Sequence, residues 1–336
     1  MKIGRFDTTE KVLVVAEIGN NHEGRFEVAE QLVRRAAECG ADAVKFQTYK
    51  TEKFVSARDA ARFQRLKSFE LTQPQFEKLA ALAHSLNLLF ISTPLDMDSA
   101  EFLAPIVDAF KVASGDNTFY PLIEKVVLTG KPVIVSAGLT DYGEILETVK
   151  FMGRCRKKGG VSGETAVLHC VSLYPTPPDQ AGLRAIRFLT EKMDCAVGYS
   201  DHTTGLEAVV AAVALGARIV EKHFTLDKNF SDFRDHKISA DPGELAELVR
   251  RVRTVSLMLG ELEKKARPEE RRMAPSVRRS IAASRDLPAG HRLTREDLMW
   301  IRPGEGLPPG QEKRLLGKKL KRTVRPGEFL SPIDVG

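Results

Sequence analysis

The stretch GARIVEKHFTLD, Gly216 to Asp227, begins as a buried strand and then places Glu221, Lys222 and His223 where a core would carry aliphatic side chains. Comparable intrusions end other apolar runs: Glu17; Lys45 and Gln47; Ser92 and Thr93; Lys111 and Ser114; Ser136; Ser172 and Tyr174; Ser200, Asp201 and His202. His202 and His223 end neighbouring runs, and two neutral imidazoles with open positions suit a borderline divalent ion such as Mn2+, Co2+ or Zn2+. Asp201 and Glu221 stand beside them to orient the rings or balance charge. Lys45 and Lys111, with the hydroxyls of Thr93, Ser114, Ser136, Ser172 and Ser200, make a socket for a phosphate on a small substrate. Either lysine could instead be a Schiff-base amine. Two lysines together with an imidazole pair make phosphate plus Lewis acid the simpler account. Taken singly, each residue has a structural reading: a helix cap for Ser or Thr, a satisfied core group for His, a snorkelling stem for Lys. Recurrence is what favours a site, because unpaired burial of so many charges costs several kcal/mol each.

The runs that carry these residues are VLVVAEI (12–18), DAVKFQT (42–48), LLFIST (88–93), DAFKVAS (108–114), PVIVSAG (132–138), AVLHCVS (166–172), CAVGYS (195–200) and RIVEKHF (218–224). Between them lie amphipathic stretches such as FEVAEQLVRRAAECG, PQFEKLAALAHSLN, YGEILETVKFMGRC and LEAVVAAVALG, and a further helix, PGELAELVRRVRTVSLMLG, follows the last run. Alternating strand and helix forces parallel pairing, and eight such units over about 250 residues match a closed (β/α)8 barrel. An open doubly wound sheet would announce a Gly-rich phosphate turn after the first strand, and EIGNNHEG lacks that spacing. In a barrel all strand C-termini converge on one mouth, which is where the polar residues would meet. Alternation along the last strand turns Glu221 and His223 to that mouth, Glu221 as an orienting partner behind His223, and sends Lys222 outward.

The chain has 336 residues, 43% of them hydrophobic, enough for one large domain and a small one. No apolar run spans a bilayer, and MKIGRFDTTEKVLVV lacks the apolar stretch of an export signal, so a cytoplasmic protein without a membrane partner is expected. Cys39, Cys155, Cys170 and Cys195 are scattered without CxxC spacing and read as small buried hydrophobes. The net charge of +6 is concentrated at the end: residues 261–336 hold 18 Lys and Arg against 11 Asp and Glu. Without aromatic interleaving or a nucleic-acid signature, that excess reads as a solvated positive face, and no nucleic-acid partner is expected.

Residues 280–336 contain an internal repeat, RDLPAGHRLTREDL (285–298) against RTVRPGEFLSPIDV (322–335), which matches Leu287 to Val324, Gly290 to Gly327, Leu293 to Leu330 and Asp297 to Asp334. Such β-rich repeats around turn glycines predict a small β domain with internal two-fold symmetry, joined to the barrel (1–260) by a charged linker, 261–279. Trp300 and Arg302 lie between the repeats, on a connecting loop that either packs a Trp or delivers an arginine.

AEIGNNHEG, AVKFQTY, FKVASGDNTFYPLI, VLHCVSLYPTP, GYSDHTTG and VEKHFTLD, followed by WIRPGEG, resemble the sialic acid synthase family, with its metal-dependent barrel and C-terminal antifreeze-like (SAF, β-clip) domain. The series runs in order over essentially the whole chain. The resemblance implies condensation of phosphoenolpyruvate with an N-acylated hexosamine such as N-acetylmannosamine, giving a nine-carbon 2-keto sugar acid and phosphate by C–O cleavage. It assigns His202 and His223 to a Mn2+-like ion, with Co2+ or Mg2+ as alternatives, that polarises the aldehyde. It assigns Lys45, Thr93, Lys111, Ser114, Ser136, Ser172 and Ser200 to phosphoenolpyruvate. Gln47, Asp116, Tyr174, Asp235 and Arg302 go to the sugar, and Glu17 guides the attacking water. Arg302 would come from a partner subunit in a domain-swapped homodimer.

Ser172 stands where bacterial members have Asn, Asp116 where they have Glu, and Asp235 rather than Asp232 is matched to the family's acidic sugar ligand. The family's Asn after the second strand has no counterpart in KFVSARDAARFQRLKSFE. Alternative acceptors are the 2,4-diacetamido sugars of legionaminic or pseudaminic acid synthesis. A barrel that condenses phosphorylated sugars would need a further anion clamp, and no Arg cluster occurs at the strand ends. A non-catalytic carbohydrate- or polyanion-binding protein is the reading from a different class.

Overall fold

The computed structural model describes residues 1–336, which form two compact units, Met1–Gly260 and Glu261–Gly336. In the first, eight parallel strands close on themselves: β1 (Leu13–Gly19), β2 (Ala43–Thr48), β3 (Leu89–Pro94), β4 (Ala109–Val112), β5 (Val133–Ser136), β6 (Thr165–Cys170), β7 (Ala196–Asp201) and β8 (Ile219–His223). Each coincides with an apolar run to within a residue or two at either end. The ring is sealed where β8 pairs with β1, with His223 opposite Glu17.

The outer ring is α1 (Phe26–Glu38), α3 (Gln73–Ser85), α4 (Met97–Leu103), α5 (Tyr120–Leu128), α6 (Tyr142–Gly159), α7 (Arg184–Lys192), α8 (Glu207–Ala214) and α9 (Pro242–Leu259), with an additional α2 (Ala60–Phe69) between β2 and α3. Local chemistry sets their ends. Asp141 with Glu144 and Asp241 with Glu244 form capping boxes for α6 and α9, Pro242 occupies the first turn of α9, and Gly160 ends α6 in a left-handed conformation. The stretch after β2, which offers no periodic apolar face, is nonetheless helical in α2 because Asp59 caps it by accepting a hydrogen bond from the Arg62 N–H, 3.1 Å.

Two cores result. One lies between strands and helices and holds Val14, Phe46, Phe90 and Phe110. The other fills the lower barrel with Leu13, Val15, Leu89, Ile91, Ile134, Leu168 and Ile219. A two-residue hairpin, Lys2–Ile3 with Phe6–Asp7, adds Met1 and Ile3 to that inner cluster. The period-2 alternation that points these aliphatic residues inward points the polar residues of the next layers inward too.

In the second unit β9 (Ser280–Ala283) pairs antiparallel with β10 (Leu298–Ile301). Its repeat has a physical two-fold: the amides of Leu287 and Val324 donate to each other's carbonyls at 2.9 Å. Gly290 and Gly327 share φ 83°, and Asp297 and Asp334 each cap a 3-10 turn while accepting from Arg285 and Arg322. The stretch read as a charged linker contains a helix, α10 (Pro268–Val277), favoured by Pro268 in its first turn and by Glu269 and Glu270 against the dipole. No helix of the chain is long and apolar enough to cross a membrane.

Candidate active site

Above the aliphatic layers the barrel opens into a cavity of about 850 Å3. Lys45 on β2 and Lys111 on β4 reach into it from its floor, each only 3% exposed. Lys111 Nζ donates to Ser136 Oγ at 2.6 Å and Lys45 Nζ to Thr93 Oγ1 at 3.4 Å. The lysines are balanced by buried carboxylates: Lys45 Nζ lies 2.8 Å from Glu17 Oε2 as an ion pair, and Glu221 stands 3.7 Å from Lys45 and 3.9 Å from Lys111. Glu17 Oε2 lacks an aligned hydrogen-bond donor despite that proximity. Glu221 Oε1 instead accepts from Ser200 Oγ, 2.8 Å, so its role is to bridge the two ammoniums, and the orienting contact to His223 expected of it is absent.

The hydroxyl ring is completed at the β5 and β6 ends. Ser114 and Ser172 converge on Gly138, where an added Cβ would lie 2.6 Å from Ser114 Oγ and 2.5 Å from Ser172 Oγ. Only glycine lets both hydroxyls approach this backbone, whose N–H donates to Ser114 Oγ at 3.1 Å. Ser92, a neighbour of Thr93, faces the other way and bonds Thr48 at 2.8 Å on the helix side.

His202 and His223 have ring centroids 5.4 Å apart. His202 Nδ1–H donates to the Val171 carbonyl at 2.8 Å, which leaves Nε2 with its lone pair. His223 Nδ1 is buried without a hydrogen-bond partner, with Asp235 Oδ2 4.0 Å away. Burial, then the proximity of His202 and Lys45, holds the His223 ring well below the ordinary imidazole range, and burial lowers His202 as well. Two neutral imidazoles, one with an orphaned nitrogen, fit a borderline divalent metal ion. No group of three or more His, Cys, Asp or Glu gathers at metal-binding distance, so further coordination positions would fall to water or substrate oxygens.

Electrostatics separate the carboxylates. Burial raises Glu17 to about 7, against the opposing pull of Lys45 and with help from Glu221. Burial also raises Asp235, while the two lysines more than offset burial at Glu221 and leave it lowered. Lys222 points out of the barrel and is held by Asp201 Oδ2 at 2.7 Å and the Thr203 carbonyl at 2.5 Å.

Gln47, Tyr174 and Asp235 also line the cavity. Tyr174 packs against His202 at 4.1 Å between centroids, and Gln47 Oε1 accepts from Asn20 at 3.0 Å. Asp235 is buried whereas Asp232 is exposed. Asp116 sits half-buried in the 3-10 turn Ser114–Asp116, close enough to Lys111 for that charge to oppose the rise that burial imposes on its carboxyl. Arg302 lies in the C-terminal unit, exposed on the turn that follows β10. The wall also contains Arg62 and Arg65, which come from helix α2 rather than from a strand end.

A closed parallel barrel with buried lysines, hydroxyls and an imidazole pair at its strand C-termini is the architecture of a (β/α)8 enzyme. The chain belongs to the NeuB family, whose model matches residues 32–264, and its end, residues 278–335, matches the SAF domain. An uncharacterized protein of Methanocaldococcus jannaschii is 45% identical over 324 residues, covering 96% of this chain and 94% of that one. The N,N'-diacetyllegionaminic acid synthase of Campylobacter jejuni is 35% identical over 335 residues, 96% of this chain and 99% of that one. Among solved structures, an N-acetylneuraminic acid (sialic acid) synthetase from Leptospira borgpetersenii in complex with citrate superposes with a TM-score of 0.75 at 33% identity, covering 81% of this chain and 94% of that chain.

Proposed function

We propose that the chain condenses phosphoenolpyruvate with the open-chain aldehyde of an N-acylated hexosamine, forming a nonulosonic 2-keto acid and inorganic phosphate. The observation that carries this reading is one cavity holding two buried ammoniums, a hydroxyl ring and two neutral imidazoles. The C. jejuni and L. borgpetersenii relatives, named as makers of legionaminic and N-acetylneuraminic acid, support it.

Lys45 and Lys111, with Thr93, Ser114, Ser136, Ser172 and Ser200, bind the carboxylate and phosphate of phosphoenolpyruvate by charge-assisted hydrogen bonds. His202 and His223 would hold a divalent metal ion, Mn2+ first, which when bound supplies Lewis acidity toward the aldehyde oxygen. The sugar is positioned by Gln47, Tyr174 and Asp235. As C3 of phosphoenolpyruvate bonds to the aldehyde carbon, the carbonyl oxygen becomes a hydroxyl with a proton from Asp235, a carboxyl that burial raises and that stands 4.0 Å from His223. Glu17, poised at about 7, takes a proton from the water that adds at C2. The tetrahedral adduct then breaks its C2–O bond to phosphate as the C2 hydroxyl gives up its proton, which leaves with the phosphate, and the 2-keto group remains. Arg302 is retained as the contribution of a second copy in a homodimer, which sedimentation of the full chain and of Arg302→Ala tests.

The deciding experiment is a coupled phosphate-release assay with phosphoenolpyruvate, Mn2+ and, in turn, N-acetylmannosamine and the 2,4-diacetamido sugars of the legionaminic and pseudaminic series. Release that depends on an N-acylhexosamine is expected. Absence of release with every acceptor and every divalent metal overturns the reading.

A further inference from the structure

The loop after β1 places on the cavity wall a residue that the proposed chemistry leaves without a part: Asn20, only 5% exposed. Its place follows from a bulge. The β1–β2 ladder pairs Glu17 with Lys45 and then Gly19 with Phe46, so the register slips by one residue and brings Asn20 alongside Gln47. Gly19 takes φ 53°, which glycine tolerates, and an added Cβ there would lie 3.1 Å from Glu17 Oε1 and 3.5 Å from Gln47 Nε2. The bare backbone thus lets the Gln47 amide nitrogen lie on the side of the Glu17 carboxylate.

A hydrogen inventory then fixes the Gln47 amide. Asn20 Nδ2 donates to Gln47 Oε1 at 3.0 Å, and Asn20 Oδ1 accepts from Tyr49 Oη at 3.3 Å. Tyr49 is buried and shares its one hydrogen with the Leu66 carbonyl at 3.2 Å, which ties this row of bonds to α2. With Oδ1 turned to the phenol, Asn20 has only its amino group to offer Gln47. Gln47 Oε1 is thereby taken, and Nε2, which donates to no group of the chain, is left for the cavity. The opposite orientation would set a carbonyl oxygen on the side of the Glu17 carboxylate, where like partial charges repel.

We propose that Asn20 is a positioning residue that locks the Gln47 carboxamide with its N–H donors toward the acceptor, so that this part of the wall reads a hydrogen-bond-accepting oxygen of the sugar. This rests on the reading of Gln47 as a contact of the acceptor. Asn20 itself meets no reacting atom and acts through Gln47. The two ends of a carboxamide are nearly the same size, so without the lock the side chain presents nitrogen or oxygen to the sugar, and only one of them bonds an acceptor atom.

Two substitutions separate this role from a structural one. Asn20→Asp keeps the size but only accepts, so it takes the Gln47 N–H and turns Oε1 to the sugar; Asn20→Leu bonds neither neighbour. In phosphate release with N-acetylmannosamine and the 2,4-diacetamido sugars, KM for the acceptor should rise at least about tenfold in Asn20→Asp and about two- to fivefold in Asn20→Leu, with KM for phosphoenolpyruvate within about twofold of wild type. A residue that only holds the fold gives the reverse order, because aspartate preserves the bridge between Tyr49 and Gln47 and leucine breaks it. That order, or an unchanged acceptor KM in Asn20→Asp, overturns the inference. A double-mutant cycle with Gln47→Ala isolates the lock from the added charge: in the Gln47→Ala background Asn20→Asp should change acceptor KM by less than about twofold, and a rise as large as in the wild-type background would refute action through Gln47. If no acceptor turns over with wild type, the proposed reaction fails on its own, and a neutron structure of the deuterated free protein still decides the lock. Gln47 deuterons facing the cavity support it, and deuterons facing Asn20 refute it.

Discussion

Replacing Gly138 by alanine separates binding from folding. The new methyl carbon would lie 2.6 Å from Ser114 Oγ and 2.5 Å from Ser172 Oγ, well inside contact distance. The two nearest atoms are ends of short side chains, so the fold relieves most of the clash by rotating two serines, at about 0.5–1.5 kcal/mol each if they are forced off rotamer, while Ser114 Cβ, 3.0 Å from the new carbon, gives slightly. Gly138 is not in the left-handed region, and reduced freedom of the unfolded chain returns about 0.4–1 kcal/mol, so the melting temperature should move little. The hydroxyls, however, leave the place where they meet phosphoenolpyruvate. A hydrogen bond to a charged group contributes roughly 1.5–3 kcal/mol, so losing one raises KM for phosphoenolpyruvate about tenfold and losing both about a hundredfold. Steady-state phosphate release at saturating acceptor, with calorimetric melting on the same preparation, reads both quantities. An unchanged KM in a protein that melts normally would mean that Ser114 and Ser172 do not hold this substrate.

His223→Ala should abolish phosphate release while preserving the circular dichroism of the wild type. EDTA should silence the wild type reversibly, with Mn2+ restoring it but not the variant. Lys222→Met strips the buried Asp201 of its cation, whose side chains are 2% and 0% exposed in the native pair, and should cost about 3 kcal/mol or more, roughly a 6–12 °C drop in melting temperature. Adding Asp201→Asn should recover part of that drop by removing the stranded charge. At Glu70 burial raises the carboxyl, but bonds from the Thr51 N–H and hydroxyl, Lys50 and Lys67 outweigh it and hold it at about 2. A folded value below the unfolded one means that this contribution is complete above pH 4.5 and is lost as pH falls from there toward 2. Hydrogen exchange at the Thr51 amide should therefore accelerate, beyond its intrinsic pH dependence, as pH falls from 4.5 toward 2. Asp297→Ala and Asp334→Ala, which remove equivalent caps and arginine partners, should lower the melting of the C-terminal unit by similar amounts.

The barrel is legible in the sequence because its strands are buried on both faces and so read as continuous apolar runs, in which a lysine or histidine is conspicuous. The same logic locates Glu17, Lys45, Lys111, His202 and His223 in one cavity. What escaped was set by chain direction rather than composition. Glu221 follows its strand's alternation inward as expected, yet which partner it meets depends on the neighbouring strands, and it bonds Ser200 and faces the two lysines. Asp116 leaves the ladder in a 3-10 turn, where period two no longer predicts orientation. Helix α2 carries no apolar stripe, since its formation rests on the Asp59 cap and a few anchors, so Arg62 and Arg65 read as an ordinary charged loop.

The seam where His223 faces Glu17 joins segments about 200 residues apart in the chain, a separation that makes closure a late and entropically demanding step. A nascent or truncated chain that stops short of β8 lacks one imidazole, the carboxylate bridge and the wall against which Glu17 is desolvated. Partial barrels should therefore be inert rather than weakly active, and the appearance of ligand binding during refolding would time the moment at which the cylinder shuts.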